Sequence, residues 1–119
     1  MLEHCVGEAP YTVCARLMFV GEDLLVAVGG GTHPHIGAVA TATMASGKLE
    51  TTVHEFPHHR EAVVAGRFAS QLAEKLGRTV VVTAGIHVDE ATKEEIALLL
   101  KHAWQLLEVL RTNLSLPNT

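Results

Sequence analysis

The stretch Leu24-Leu25-Val26-Ala27-Val28-Gly29-Gly30-Gly31-Thr32-His33-Pro34-His35-Ile36-Gly37 decides how the rest of the chain is read. Its first five residues are an unbroken apolar run, and the residues that follow Gly37, from Ala38 to Met44, are small and largely apolar. Three glycines, a proline and two histidines between such runs read as a loop thrown out from the end of one strand before the next begins. Consecutive glycines cost backbone entropy on folding, but they allow positive φ and close backbone approach to another group, a phosphate included. Pro34 biases His33 toward an extended conformation. No GxGxxG or GxxxxGK[ST] pattern is present, so the glycines alone do not separate a ligand loop from a tight connection.

Toward the N-terminus, Tyr11, Val13, Ala15, Leu17 and Phe19 alternate with Thr12, Cys14, Arg16, Met18 and Val20, the period of a strand. Gly21-Glu22-Asp23 is then a hairpin loop, and the unbroken apolarity of Leu24 to Val28 predicts cover on both faces. Residues 1–10 show no period and read as a lead. Toward the C-terminus, Ala38 to Met44 forms a third strand with its alanines all on one face, which calls for a closely packed helix or, second, a partner subunit. Lys48 to Phe56 is the most polar strand and belongs near an edge.

From Arg60 to Leu76 the apolar residues follow the helical period, and Gly77 caps the end. The β-branched run from Thr79 to Ala84 is the best candidate for a central strand. Thr92-Lys93-Glu94-Glu95 is a capping box that opens a final helix of about twenty residues. Its apolar residues extend well beyond a single stripe, which predicts a subunit interface and a homodimer; residues 113–119 are expected to fray. The fold class is α+β: one domain over residues 1–119, about five strands in a mixed or antiparallel sheet and two main helices, in the order β-β-β-β-α-β-α.

Composition narrows the function. Hydrophobic residues make up 48% of the chain, enough for a packed core. Aromatics at 4% supply few stacking platforms, and nine Lys plus Arg against thirteen Asp plus Glu supply no basic stripe, so nucleic acid is not the expected partner. No run approaches a membrane span, and Glu3, His4, Glu8 and Pro10 stand where a signal peptide needs an apolar core, so the expected location is the cytoplasm. Cys5 and Cys14 read as buried reduced thiols, with metal binding or redox work as the alternatives.

Six histidines, His33, His35, His54, His58, His59 and His87, lie at element ends in three stretches. If the stretches converge, the imidazoles could hold a divalent transition metal or donate to an anionic or flat polar ligand, with Arg60 or Arg67 adding a fork. Their spacings match no HExxH or zinc-finger pattern. His4 and His102 stay outside the group, the second on the exposed side of the final helix. No GxSxG motif and no credible Cys/His pair marks a nucleophile. Glu55 and Glu61 are the only acids retained as catalytic candidates, and solvated charges are the simpler reading of both.

Gly30-Gly31-Thr32-x-Pro34-His35-Ile36-Gly37, then Phe56-Pro57-x-His59, then Thr83-Ala84-Gly85-Ile86-His87-Val88 followed by Thr92-Lys93 and Ile96, resembles the small D-type subunit associated with gallate and hydroxyarylic acid decarboxylases, a prenylated-flavin chaperone family. The likeness covers about residues 11 to 100 and rests on three motifs in order. It implies a non-catalytic accessory protein with a fold similar to proteasome assembly chaperones, binding prenylated FMN or FMN and serving a UbiD-type decarboxylase catalytic subunit. The residues it carries over for the cofactor are Gly30, Gly31, Thr32, Pro34, His35, Gly37, His59, Gly85 and His87. Among these the glycine amides and Thr32 are the candidates for phosphate, and His35, His59 and His87 for ring carbonyls or a metal. The competing class is a metal-binding protein or small metal-dependent enzyme built on the same three histidines.

Overall fold

The computed structural model describes residues 2–57 and 61–114. In chain order the elements are β1 (Leu2–Val6), β2 (Val13–Val20), β3 (Asp23–Gly31), β4 (Ala38–Thr43), β5 (Glu50–Glu55), α1 (Ala62–Leu76), β6 (Val80–His87) and α2 (Lys93–Asn113). The six strands form one sheet in the order β1-β2-β3-β6-β4-β5. Only β3 and β6 run parallel, and every other neighbouring pair is antiparallel. The class is the expected α+β, with one strand more than the alternation of the sequence predicts.

The extra strand lies in the lead. Leu2 to Val6 pairs antiparallel with β2 and places Cys5 opposite Cys14, and the two are joined in a disulfide. This corrects the expectation of reduced thiols. No residue of this edge strand is fully buried, so neither face needs to be uniformly apolar and Leu-Glu-His-Cys-Val does not read as a strand.

Two further corrections concern strand ends. β3 does not stop at Val28 but continues through the three glycines, with Gly29, Gly30 and Gly31 opposite Gly85, Ile86 and His87 of β6. β6 correspondingly runs on to His87 instead of ending at Ala84. Between them they fix what the glycine loop does. β6 occupies the slot between β3 and β4, so residues 32–37 must cross two strand spacings, about 10 Å, over the end of β6.

Both helices pack on one face of the sheet. α1 covers β4, β5 and β6, while α2 lies over β1 and β2 and touches α1. Ala38, Ala40 and Ala42 are fully buried beneath α1, so the alanine face is matched by the helix it called for. Phe68, Leu72, Leu106 and Leu110 from the helices meet Leu17, Val26, Val80 and Val82 from the sheet in the core. The other face is uncovered: Met18, Val20 and Leu25 are exposed, and β3 alternates between exposed and buried residues. The cover predicted on both sides of Leu24 to Val28 is therefore present on one side only. β5 is an edge, exposed along its length, as its polarity predicts.

The helix ends follow the sequence closely. Gly77 takes the left-handed conformation, and its amide donates to the carbonyl of Ala73. At α2 the Thr92 hydroxyl accepts from the Glu95 amide while the Glu95 carboxylate accepts from the Thr92 amide. Tyr11 adds to this box by donating its hydroxyl to Glu95 at 2.6 Å. Accepting from the Thr92 amide, and then from Tyr11, lowers the Glu95 pKa below the ordinary carboxylate value, and the same contact raises that of Tyr11. His102 is half-buried, with Nδ1 at 2.7 Å from the Tyr11 carbonyl, so it is not on an exposed helix side. Of the predicted frayed tail, Asn113 closes α2 and Leu114 is buried; the remainder lies outside the described residues. No helix among the described residues is long and apolar enough to cross a membrane.

Candidate functional site

The parallel pair β3 and β6 ends at one edge of the sheet, and the 32–37 loop folds back across that end. Its backbone is held by strand carbonyls: the amides of Thr32 and His33 both donate to the His87 carbonyl, and the Gly37 amide donates to that of Ala84 at 2.8 Å. The Gly31 amide donates to the Thr12 carbonyl. These amides are therefore engaged within the fold, so the glycines serve close packing here and the side chains are what the loop offers a ligand.

Three glycines make the packing possible. Gly31 has φ 76°, and a β-carbon there would meet the His87 carbonyl. A β-carbon on Gly85 would collide with the carbonyl of His35. Pro34 rests over Gly29, whose missing side chain leaves the space.

The imidazoles gather above this platform. The His87 ring lies edge-on to His33 and His35, with centroids 5.9 and 6.2 Å away. His87 Nε2 is 2.8 Å from Asp89, whose other carboxylate oxygen is 3.8 Å from His33 Nδ1. The Thr32 hydroxyl is 3.0 Å from His33 Nδ1. His35 Nδ1 is 3.0 Å from the His33 carbonyl, and its Nε2 reaches Glu61 Oε1 at 3.2 Å. A carbonyl only accepts, so in the contact with His33 it is Nδ1 that donates.

Of the sequence-predicted site, the structure brings together Gly30, Gly31, Thr32, Pro34, His35, Gly37, Gly85 and His87. His59, with His58 and Arg60, lies outside the described residues. His54 packs against Phe56 on the edge strand, at 4.9 Å between ring centroids. Arg67 stacks over Trp104 at 4.0 Å, which occupies it within the helix layer. Glu55 caps α1, accepting from the Ala62 amide at 3.1 Å, which is a structural use of that carboxylate.

Glu61 is the residue that the sequence reading undervalued. It is 8% exposed, the buried polar residue of the described core, and not a solvated charge. It lines a pocket of about 470 Å³ with Val64, Ile86, His87, Val88, Ile96 and Leu99. The signal available in the sequence was its place immediately before the helix, where a side chain turns back toward the preceding strands.

The metal set expected from the sequence, His35, His59 and His87, includes one residue outside the described ones. Among the described residues, the three ligand atoms lying within 4.8 Å of one another are those of Glu3, Cys5 and Cys14, not of the histidines, and the two sulfurs there are bonded to each other.

Residues 7–115 match the protein family described as "Prenylated flavin chaperone LpdD-like domain". The chain belongs to this family. It is 41% identical over 93 residues to Protein LpdD of Lactiplantibacillus plantarum, a match covering 76% of this chain and 68% of that protein. Its fold is similar to that in "Crystal Structure of a Novel Chaperone Complex for Yeast 20S Proteasome Assembly", with a TM-score of 0.63 and 15% identity, covering 93% of this chain and 94% of the other. The second likeness bears on the fold alone, and the family membership supports a chaperone or accessory role for the LpdD-like chain.

Proposed function

We propose that this LpdD-like protein is a non-catalytic chaperone that binds a flavin phosphate, prenylated FMN or its FMN precursor, and passes it to a UbiD-type decarboxylase catalytic subunit. The observation that carries the reading is the gathering of Thr32, His33, His35 and His87 over the C-terminal ends of β3 and β6, the end of a parallel strand pair where ligands of α/β sheets commonly sit. Thr32 and the imidazoles of His33 and His87 are the phosphate donors, and His35 faces the ring. Gly30, Gly31, Gly37 and Gly85, with Pro34, set the platform on which those side chains stand.

The reading includes a homodimer in the cytoplasm. Exposed Met18, Val20 and Leu25 on the bare sheet face are an apolar surface available to a second copy. Titrating the purified protein with FMN and, anaerobically, with prenylated FMN, followed by flavin fluorescence, tests the assignment. Saturable binding that His87→Ala and Thr32→Val weaken supports it, and no binding of either flavin by the wild-type protein overturns it. Sedimentation velocity reads the oligomeric state separately.

A further inference from the structure

The pocket beside the histidines has a composition that the phosphate reading does not use. It lies between the first turn of α1, the end of β6 and the first two turns of α2, and apart from Glu61, His87 and Glu90 its lining is apolar. Its size falls within the range of small-molecule sites. Glu61 Oε1 is committed, since it faces His35 Nε2 at 3.2 Å and the Ile86 amide at 3.4 Å. Glu61 Oε2 is buried and has no hydrogen-bond partner among the described residues. A buried carboxylate oxygen left bare costs of order 1–3 kcal/mol or more, so a donor belongs there.

We propose that this pocket seats the ring system of the ligand, with Glu61 Oε2 accepting from a ring N–H and Ile86, Val88, Ile96 and Leu99 enclosing an apolar substituent. The ligand class is a heteroaromatic ring that carries an imide N–H together with added hydrocarbon. This rests on the flavin reading and goes further than it. The imide N–H is the ring donor that FMN shares with its prenylated form, and the apolar wall favours the form with more hydrocarbon. His87 lines the pocket and also stands among the imidazoles, so one residue joins the ring seat to the phosphate donors. The apolar wall thereby becomes the part of the site that discriminates between the two forms, while Glu61 holds the imide edge common to both.

The test compares FMN, N3-methyl FMN and prenylated FMN on the wild-type chain and on two variants, Glu61→Ala and Ile96→Ser. Ile96 is 49% exposed, so its replacement leaves the core intact and the test stands even if Glu61→Ala fails to fold. N3-methylation is expected to weaken wild-type binding by about tenfold. Glu61→Ala lowers FMN affinity to the level of the methylated analogue and leaves that analogue unaffected. Ile96→Ser weakens prenylated FMN by about fivefold and FMN less. Equal binding of FMN and N3-methyl FMN, or undiminished prenylated FMN binding by Ile96→Ser, overturns the ring seat while leaving a flavin chaperone in place. Absence of any flavin binding by the wild-type protein removes both readings together.

Discussion

The backbone of Gly85 passes directly beneath the carbonyl of His35, so closely that no side chain fits between them. The loop that carries the imidazoles is therefore seated on the strand that carries His87, and the two motifs form one unit. Gly85→Ala is expected to push the loop off β6, destabilising the protein by about 1–3 kcal/mol and displacing His35 from Glu61. Gly85 lies in a strand and does not have positive φ, so steric overlap and not backbone preference is the cause. Urea denaturation gives the stability loss, and the His35 and His87 imidazole NMR resonances report the displacement. Unchanged resonances in a stably folded variant would contradict the seating.

Local features of this fold were legible because they are written at short range. The Thr92–Glu95 box, the Gly77 cap, the alanine face of β4 and the polarity of β5 each depend on a few neighbouring residues, and each is found where the sequence places it. Strand order was not legible, because the insertion of β6 between β3 and β4 is a long-range event that no periodicity records. That same insertion stretches the glycines into β3 and turns an apparent free loop into a bridge. Glu61 was misread for a related reason: its burial depends on His35 and Ile86, which are 26 and 25 positions away.

Asp89 holds His87 and lies near His33, which aligns the rings but places a negative charge where a phosphate would arrive. Asp89→Asn keeps a hydrogen-bond acceptor and removes the charge. The expected result is FMN affinity raised about threefold at low ionic strength, with the gain shrinking as salt screens it. Riboflavin, which lacks the phosphate, should show no gain. A similar gain for riboflavin would place the phosphate elsewhere.

The disulfide between Cys5 and Cys14 ties β1 to β2 across a sequence separation of nine. Closing a loop of that size removes unfolded-chain entropy worth about 2–3 kcal/mol. The Cys5→Ser, Cys14→Ser double variant should lose stability by that amount, and a reductant should do the same to the wild-type chain and nothing to the variant. Because β1 is an edge strand whose residues are mostly exposed, its amides should then exchange faster with solvent while those of β3 and β6 keep their protection. Loss of protection throughout the sheet would show that β1 is integral to the core and not an attached edge.

The Tyr11–Glu95 contact links the segment before β2 to the start of α2, and its two partners predict opposite limits in pH. The Glu95 pKa is lowered, first by the Thr92 amide and then by the Tyr11 hydroxyl, from a reference of 4.5. Its contribution to stability is thus present above that reference and disappears as pH falls through the lowered value. The Tyr11 pKa is raised, first by its hydrogen bond to Glu95, from a reference of 10.0. Its contribution is present below pH 10.0 and is lost as pH rises through the raised value. Glu95→Gln should therefore differ from wild type in urea midpoint at neutral pH and converge with it in acid. Tyr11→Phe should be less stable than wild type at neutral pH, and the difference should close on both sides, in acid as Glu95 takes up its proton and in strong alkali as Tyr11 loses its own. The His102 contact with the Tyr11 carbonyl survives both substitutions, since it uses backbone, so α2 stays docked and the pH profile isolates the side-chain pair. A Tyr11→Phe profile parallel to wild type from acid to alkali would mean that the hydroxyl contributes nothing through Glu95.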